Sequence, residues 1–162
     1  MTNLVPGPPM SSSHIETPAE SAAIVDQNLH SMGSAGLERG GEGADEVRRI
    51  LDLLAVESLT YRHEDDLQAE ISQILTVAGV QHVREARLGP GERIDLLTAA
   101  GVGIEVKIAG SWTAAVRQLL RYAHDDQIRA LVLVSTQASH HNVPHELAGV
   151  PVAVYSLIGQ GL

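Results

Sequence analysis

The sequence predicts an α/β domain, a mixed central sheet flanked by helices, with a core in the order α-β-β-β-α-β. Three observations carry that prediction. Residues 45–78 place apolar side chains at helical spacing, and residues 83–108 switch to period two around glycine-bearing turns. A further helical stretch is then followed by Ala130-Leu131-Val132-Leu133-Val134, a short and wholly apolar run. A meander, a helix and a buried strand in that order are the signature of a right-handed crossover into a parallel pair.

The elements follow in chain order. Residues 1–44 are rich in Pro, Ser, Gly and Glu. That composition buries too little apolar surface to offset chain entropy, so disorder is expected there. Its apolar island Ala22-Ala23-Ile24-Val25 could form a transient helix or dock on a protein partner. Residues 45–60 carry Val47, Ile50, Leu51, Leu53, Leu54 and Leu59 at the spacing of a short amphipathic helix. A second helix is expected from Arg62 to Ala78 on the stripe Leu67, Ile71, Ile74, Leu75 and Ala78, with Gly79 as its stop. Val83, Glu85 and Arg87 alternate into the turn Gly89-Pro90-Gly91; Arg93–Leu97 and Val102–Ile108 are the next two strands. Ser111 is placed to N-cap a helix from Trp112 to His124. Arg129–Ser135 is the buried strand, residues 137–149 a polar loop, and Val150–Leu157 a last strand.

Composition narrows the functional classes. The 162 residues suit one domain, here residues 61–162 behind the N-terminal segment and first helix. The formal charge is −9, so nothing in the bulk balance announces a nucleic-acid binder. The imbalance is uneven: residues 1–45 hold six acids against one arginine, whereas residues 46–162 hold fourteen acids against ten bases. With no cysteine there are no disulfides and no thiolate zinc sites, which fits a reducing compartment. No apolar run is long enough to span a membrane and no signal peptide opens the chain, so a cytoplasmic location is expected.

Lys107 is the only lysine; the other ten bases are arginine. Arginine is a permanently charged planar fork, whereas lysine is a compact ammonium suited to proton transfer. A chain that otherwise uses arginine and keeps one lysine points to a need for an ammonium at that place. In a strand, residues two apart share a face, so Glu105 and Lys107 point the same way, and hairpin pairing brings Asp95 beside Glu105. Two adjacent carboxylates repel, and one takes up a proton unless a cation compensates them. Magnesium accepts such a set, two carboxylates plus a backbone carbonyl, with waters completing its shell.

Asp95, a gap, then Glu105-Val106-Lys107, with an acid-bearing helix before and an αβ unit after, resembles the PD-(D/E)XK nuclease superfamily, the restriction-endonuclease-like fold, over residues 62–136. The family's proline before the aspartate is Ile94 here. The resemblance implies a magnesium-dependent nuclease acting on DNA, with manganese as a substitute ion. It implies Asp95, Glu105 and the carbonyl of Val106 as metal ligands and Lys107 as the group that handles the attacking water and developing charge. Small members of the family dimerise to cut two strands, which makes a homodimer an expectation. The first helix should supply another acid. Helical geometry favours Glu64, acting directly or through water, over Glu70, and turns Asp65 and Asp66 to solvent. Gln118 and Tyr122 match the Gln-x-x-x-Tyr pattern of the RecB-type branch, which implies a catalytic Gln118 and a DNA-facing Tyr122, with Arg117 and Arg121 as phosphate contacts.

Plainer readings compete. An ordinary solvated ion pair would explain Glu105 and Lys107 and would be worth about 0–1 kcal/mol. Gln118 and Tyr122 could be a polar flank and a packing residue. His140, His141, His145 and Glu146 mimic a metal site by spacing, but a histidine-rich loop accounts for them better, because no rigid element is expected there. Asp125 and Asp126 are expected to face solvent. A non-catalytic binding module on the same fold is the competing function, favoured by the acidic balance, since DNA affinity comes largely from phosphate neutralisation.

Overall fold

The computed structural model describes residues 37–158; the expectations for residues 1–36, including the island Ala22–Val25, lie outside the described residues. The domain is α/β, with a mixed six-stranded sheet covered by helices on both faces. Its elements are α1 (Leu37–Val56), α2 (Glu64–Val77), β1 (His82–Leu88), β2 (Glu92–Thr98), β3 (Val102–Lys107), α3 (Trp112–Ala123), β4 (Ala130–Ser135), β5 (Glu146–Leu147) and β6 (Val150–Ser156). The strand order is β1-β2-β3-β4-β6-β5. β1, β2 and β3 are antiparallel neighbours, whereas β3, β4 and β6 run parallel. β3 is therefore the strand at which the sheet changes sense.

Helix α1 begins at Leu37, eight residues before the sequence pattern places it. Glycines at 40, 41 and 43 hide that start. At Gly43 the helix runs close to the entrance to β4, where a Cβ would lie 3.4 Å from Cβ of Arg129, at ordinary van der Waals contact. The expected polar loop after β4 also has structure: a 3₁₀ turn at Ala138–Asn142 and the short strand β5.

α1 and α2 cover one face of the sheet, burying Ile50, Leu54, Leu67 and Ile71 against Ile104 and Val106. α3 covers the other face, burying Leu119 and Tyr122 with Ile94, Leu131 and Leu133. Because both faces of β3 are covered, Glu105 is not on a solvated face: it is only 2 % exposed. Gly103, on the same side as Glu105, has no room for a side chain; a Cβ would meet Ile94 Cδ1 at 2.5 Å and Ile128 and Leu131 at 3.0 Å.

Among the described residues, no helix is long and apolar enough to cross a membrane.

Candidate active site

The end of β3 gathers the charged residues that the sequence singles out. Glu105 Oε1 lies 2.5 Å from Lys107 Nζ, as their shared strand face requires. Glu64 opens α2, and its carboxylate spans two groups: Oε1 is 3.4 Å from Lys107 Nζ and Oε2 accepts from the Ile108 amide at 3.2 Å. Glu70 goes elsewhere, accepting from the Thr60 amide at 2.8 Å. Asp66 accepts from the amides of Arg62 and His63, closing the N-terminus of α2, and Asp65 is exposed.

Asp95 reaches the site through a break in the sheet. Ile94 lies in the α3-side core and Leu96, two residues on, lies in the opposite one, so strand alternation resets between them. The β2–β3 ladder pairs Leu97 with Gly103 and Leu96 with Ile104 and goes no further. In its place Asp95 Oδ2 accepts from the Val106 amide at 2.8 Å. Since N–H and C=O of one strand residue leave on the same side, the Val106 carbonyl also faces the β2 edge.

Burial and mutual repulsion govern the charges. Burial raises the Asp95 carboxyl from its ordinary 3.8 to about 6, against the opposing pull of the Val106 amide and of Lys107. Burial, then the charge of Asp95, raises Glu105 from 4.5 to about 7 even with Lys107 beside it. For Lys107, burial works against the charged form, but Glu105, Glu64 and Asp95 outweigh it and hold the ammonium above its ordinary range. Lys107 is therefore a persistent cation, and the carboxyls are the groups poised to exchange protons near neutrality. Glu105 Oε2 is buried and has no hydrogen-bond partner. An orphaned carboxylate oxygen beside a second strained carboxyl is a set that fits a divalent cation. No group of three or more His, Asp or Glu side chains is placed to hold a metal among the described residues, so such an ion would rest on Asp95, Glu105 and the Val106 carbonyl, with Glu64 turned toward Lys107.

The pair on α3 takes a different role from the one its pattern implies. Tyr122 is 1 % exposed, so it cannot face a nucleic acid. Its hydroxyl donates to the Arg93 carbonyl at 2.7 Å and accepts from Gln118 Nε2 at 2.5 Å. Burial, then the Glu105 charge, pushes its ionisation further above the ordinary phenol range, so it stays a donor. Gln118 and Tyr122 thus clamp the β2 backbone two residues before Asp95. Arg117 and Arg121 are exposed; Arg121 pairs with Glu92 at 2.7 Å and Arg117 bonds the Thr113 carbonyl.

The histidine cluster does not assemble. His140 turns inward, its Nδ1 2.6 Å from Ser135 Oγ, while His141, His145 and Glu146 are exposed. Ser135 Oγ also accepts from the Gln137 amide, so the serine ties His140 to the start of the 3₁₀ turn. Burial pushes the His140 imidazole below its ordinary range, so it is a neutral packing group. The only sequence signal for it was its place after a buried strand. Asp125, expected in solvent, ties the β1–β2 turn to α3 by accepting from the Gly89 amide at 2.9 Å.

Compared with protein-family models, with curated proteins and with solved structures, the chain matches none.

Proposed function

We propose that the chain is a magnesium-dependent nuclease that hydrolyses DNA phosphodiester bonds on a restriction-endonuclease-like core, acting in the cytoplasm. The observation that carries the reading is the convergence of Glu64, Asp95, Glu105 and Lys107 at the end of β3 around a buried carboxylate oxygen with no partner. An ion-paired surface would have no reason to bury two carboxyls whose ionisation is disfavoured.

Each residue then has a task. Asp95, Glu105 and the Val106 carbonyl hold the cation, which when bound polarises the phosphate and acidifies a water. Lys107 keeps its proton and directs its N–H groups at charge developing on the phosphoryl oxygens. Glu64 orients Lys107 and offers an acceptor oxygen beside it. Gln118 acts through Tyr122 on the Arg93 backbone rather than on the substrate. Arg117 and Arg121, on the solvent side of α3, meet phosphates.

The test is cleavage of linear, circular, single-stranded and branched DNA with magnesium or manganese, using Lys107→Met as control. Cleavage that requires the ion and disappears in the variant is the expected result. Equal cleavage by the variant would overturn the assignment. Sedimentation of the full chain, with and without DNA, reads the expected homodimer.

One observation favours a non-catalytic binding module instead: Lys107 already sits 2.5 Å from Glu105, supplying positive charge where the ion would. Magnesium titration by calorimetry separates the two, because the nuclease reading requires binding that Glu105→Ala removes.

A further inference from the structure

Glu85, Asp95 and Glu105 occupy the corresponding position on three neighbouring strands, ten residues apart along the chain. The β1–β2 ladder runs in one register from His82↔Thr98 to Leu88↔Glu92, and the single position missing from it is Glu85 opposite Asp95. Glu85 has φ 53°, in the left-handed region, without being a glycine. Glutamate gains nothing locally from that conformation, so the surrounding structure must impose it. Its side chain makes an exposed ion pair, Oε2 lying 2.6 Å from Nε of Arg93, the residue whose carbonyl Tyr122 holds. The alternation of β2 resets at the same level, between Ile94 and Leu96. Glu85 is also close enough for its charge to bear on Asp95.

We propose that Glu85 is a positioning residue of the site: its left-handed backbone breaks the β1–β2 pairing and turns the Asp95 carboxylate onto the Val106 amide. An unbroken pair at that level would restore the alternation of β2 through Asp95. Local disruptions of this kind re-aim single side chains at sheet positions next to functional sites. The proposal rests on the nuclease reading only for what the Asp95 carboxylate does once it is turned.

The experiment follows the Val106 amide by NMR hydrogen exchange, in metal-free full-length protein, in wild type, Glu85→Gly, Glu85→Ala and Glu85→Val. Glycine accepts positive φ freely and valine resists it most. The expected order is wild-type protection in Glu85→Gly, less in Glu85→Ala and loss in Glu85→Val, with the Val132 amide in β4 protected equally throughout as the control for folding. Cleavage should fall in the same order, by on the order of 100-fold in Glu85→Val, with glycine rescuing it. Should Glu85→Val fail to fold, the comparison of glycine with alanine decides the matter. Equal Val106 protection in all variants would overturn the proposal, as would equal loss in glycine and alanine. If the amide series holds but wild type cuts no DNA, the nuclease reading fails and the positioning role stands.

Discussion

Replacing Glu105 by Gln should stabilise the metal-free protein at alkaline pH while abolishing its proposed function. The side chain is 2 % exposed, and ionising it is disfavoured by burial and by Asp95. A carboxyl moved from 4.5 to about 7 costs about 3 kcal/mol to ionise in the folded state. The sign follows from proton counting. Between pH 4.5 and 7 the folded protein binds a proton that the unfolded chain has released, so stability falls as pH rises through that window and is flat above it. Gln imitates the protonated form, so Glu105→Gln should match wild type near pH 4.5. At pH 8 it should exceed wild type by about 3 kcal/mol, or roughly 10 °C in Tm for a domain of this size. The assay is thermal and urea unfolding in EDTA at both pH values, repeated with magnesium. Magnesium should raise the wild-type midpoint and leave the variant unchanged. A variant less stable than wild type at pH 8, or an equal difference at both pH values, would refute the reasoning.

Other outcomes can be checked independently. Lys107→Arg should lose cleavage by roughly 10²–10³-fold, as when an oriented donor is removed, because a planar fork cannot occupy the space of an ammonium held 2.5 Å from Glu105; single-turnover kinetics read it. Tyr122→Phe should cost about 1–3 kcal/mol in urea unfolding, because the Arg93 carbonyl loses its donor and Gln118 its acceptor. Gly103→Ala should destabilise by about 1–3 kcal/mol in the same assay, since its Cβ would contact three core side chains at 3.0 Å or less. Arg117→Ala with Arg121→Ala should weaken DNA affinity across all sequences and lower the salt slope by about two, measured by anisotropy over a salt series.

The core of this architecture was legible because its signals are local. Period-two alternation located β1, β2 and β3, and the apolar run located β4. The carboxylates of Glu64 and Glu105 were legible for the same reason: helix phase and strand parity fix where a side chain points once the element is known. What escaped the sequence depends on packing between distant segments. The early turns of α1 were hidden by glycines at 40, 41 and 43, of which Gly43 lies against Arg129 and Ala130, and the inward turn of His140 by its dependence on Ser135. Tyr122 matched a pattern but not the expected exposure, because which flank of α3 is buried is decided by the sheet beneath it. Glu85 was read as an ordinary member of an alternating strand; nothing in a glutamate announces positive φ.

The bond from the Val106 amide to Asp95 has a consequence for how the chain can change over generations. Asp95 is at once a proposed ligand and the acceptor that stands in for a missing rung of the sheet. A descendant that replaces Asp95 with an apolar residue inherits a strand amide with no acceptor, a cost of about 1–3 kcal/mol carried by the fold itself. Loss of Asp95 is therefore not a neutral step for this lineage, whatever becomes of the proposed activity. It has to be accompanied by a repair of the β2–β3 ladder, and a homologue in which position 95 is apolar should show that ladder extended past Leu96 and Ile104.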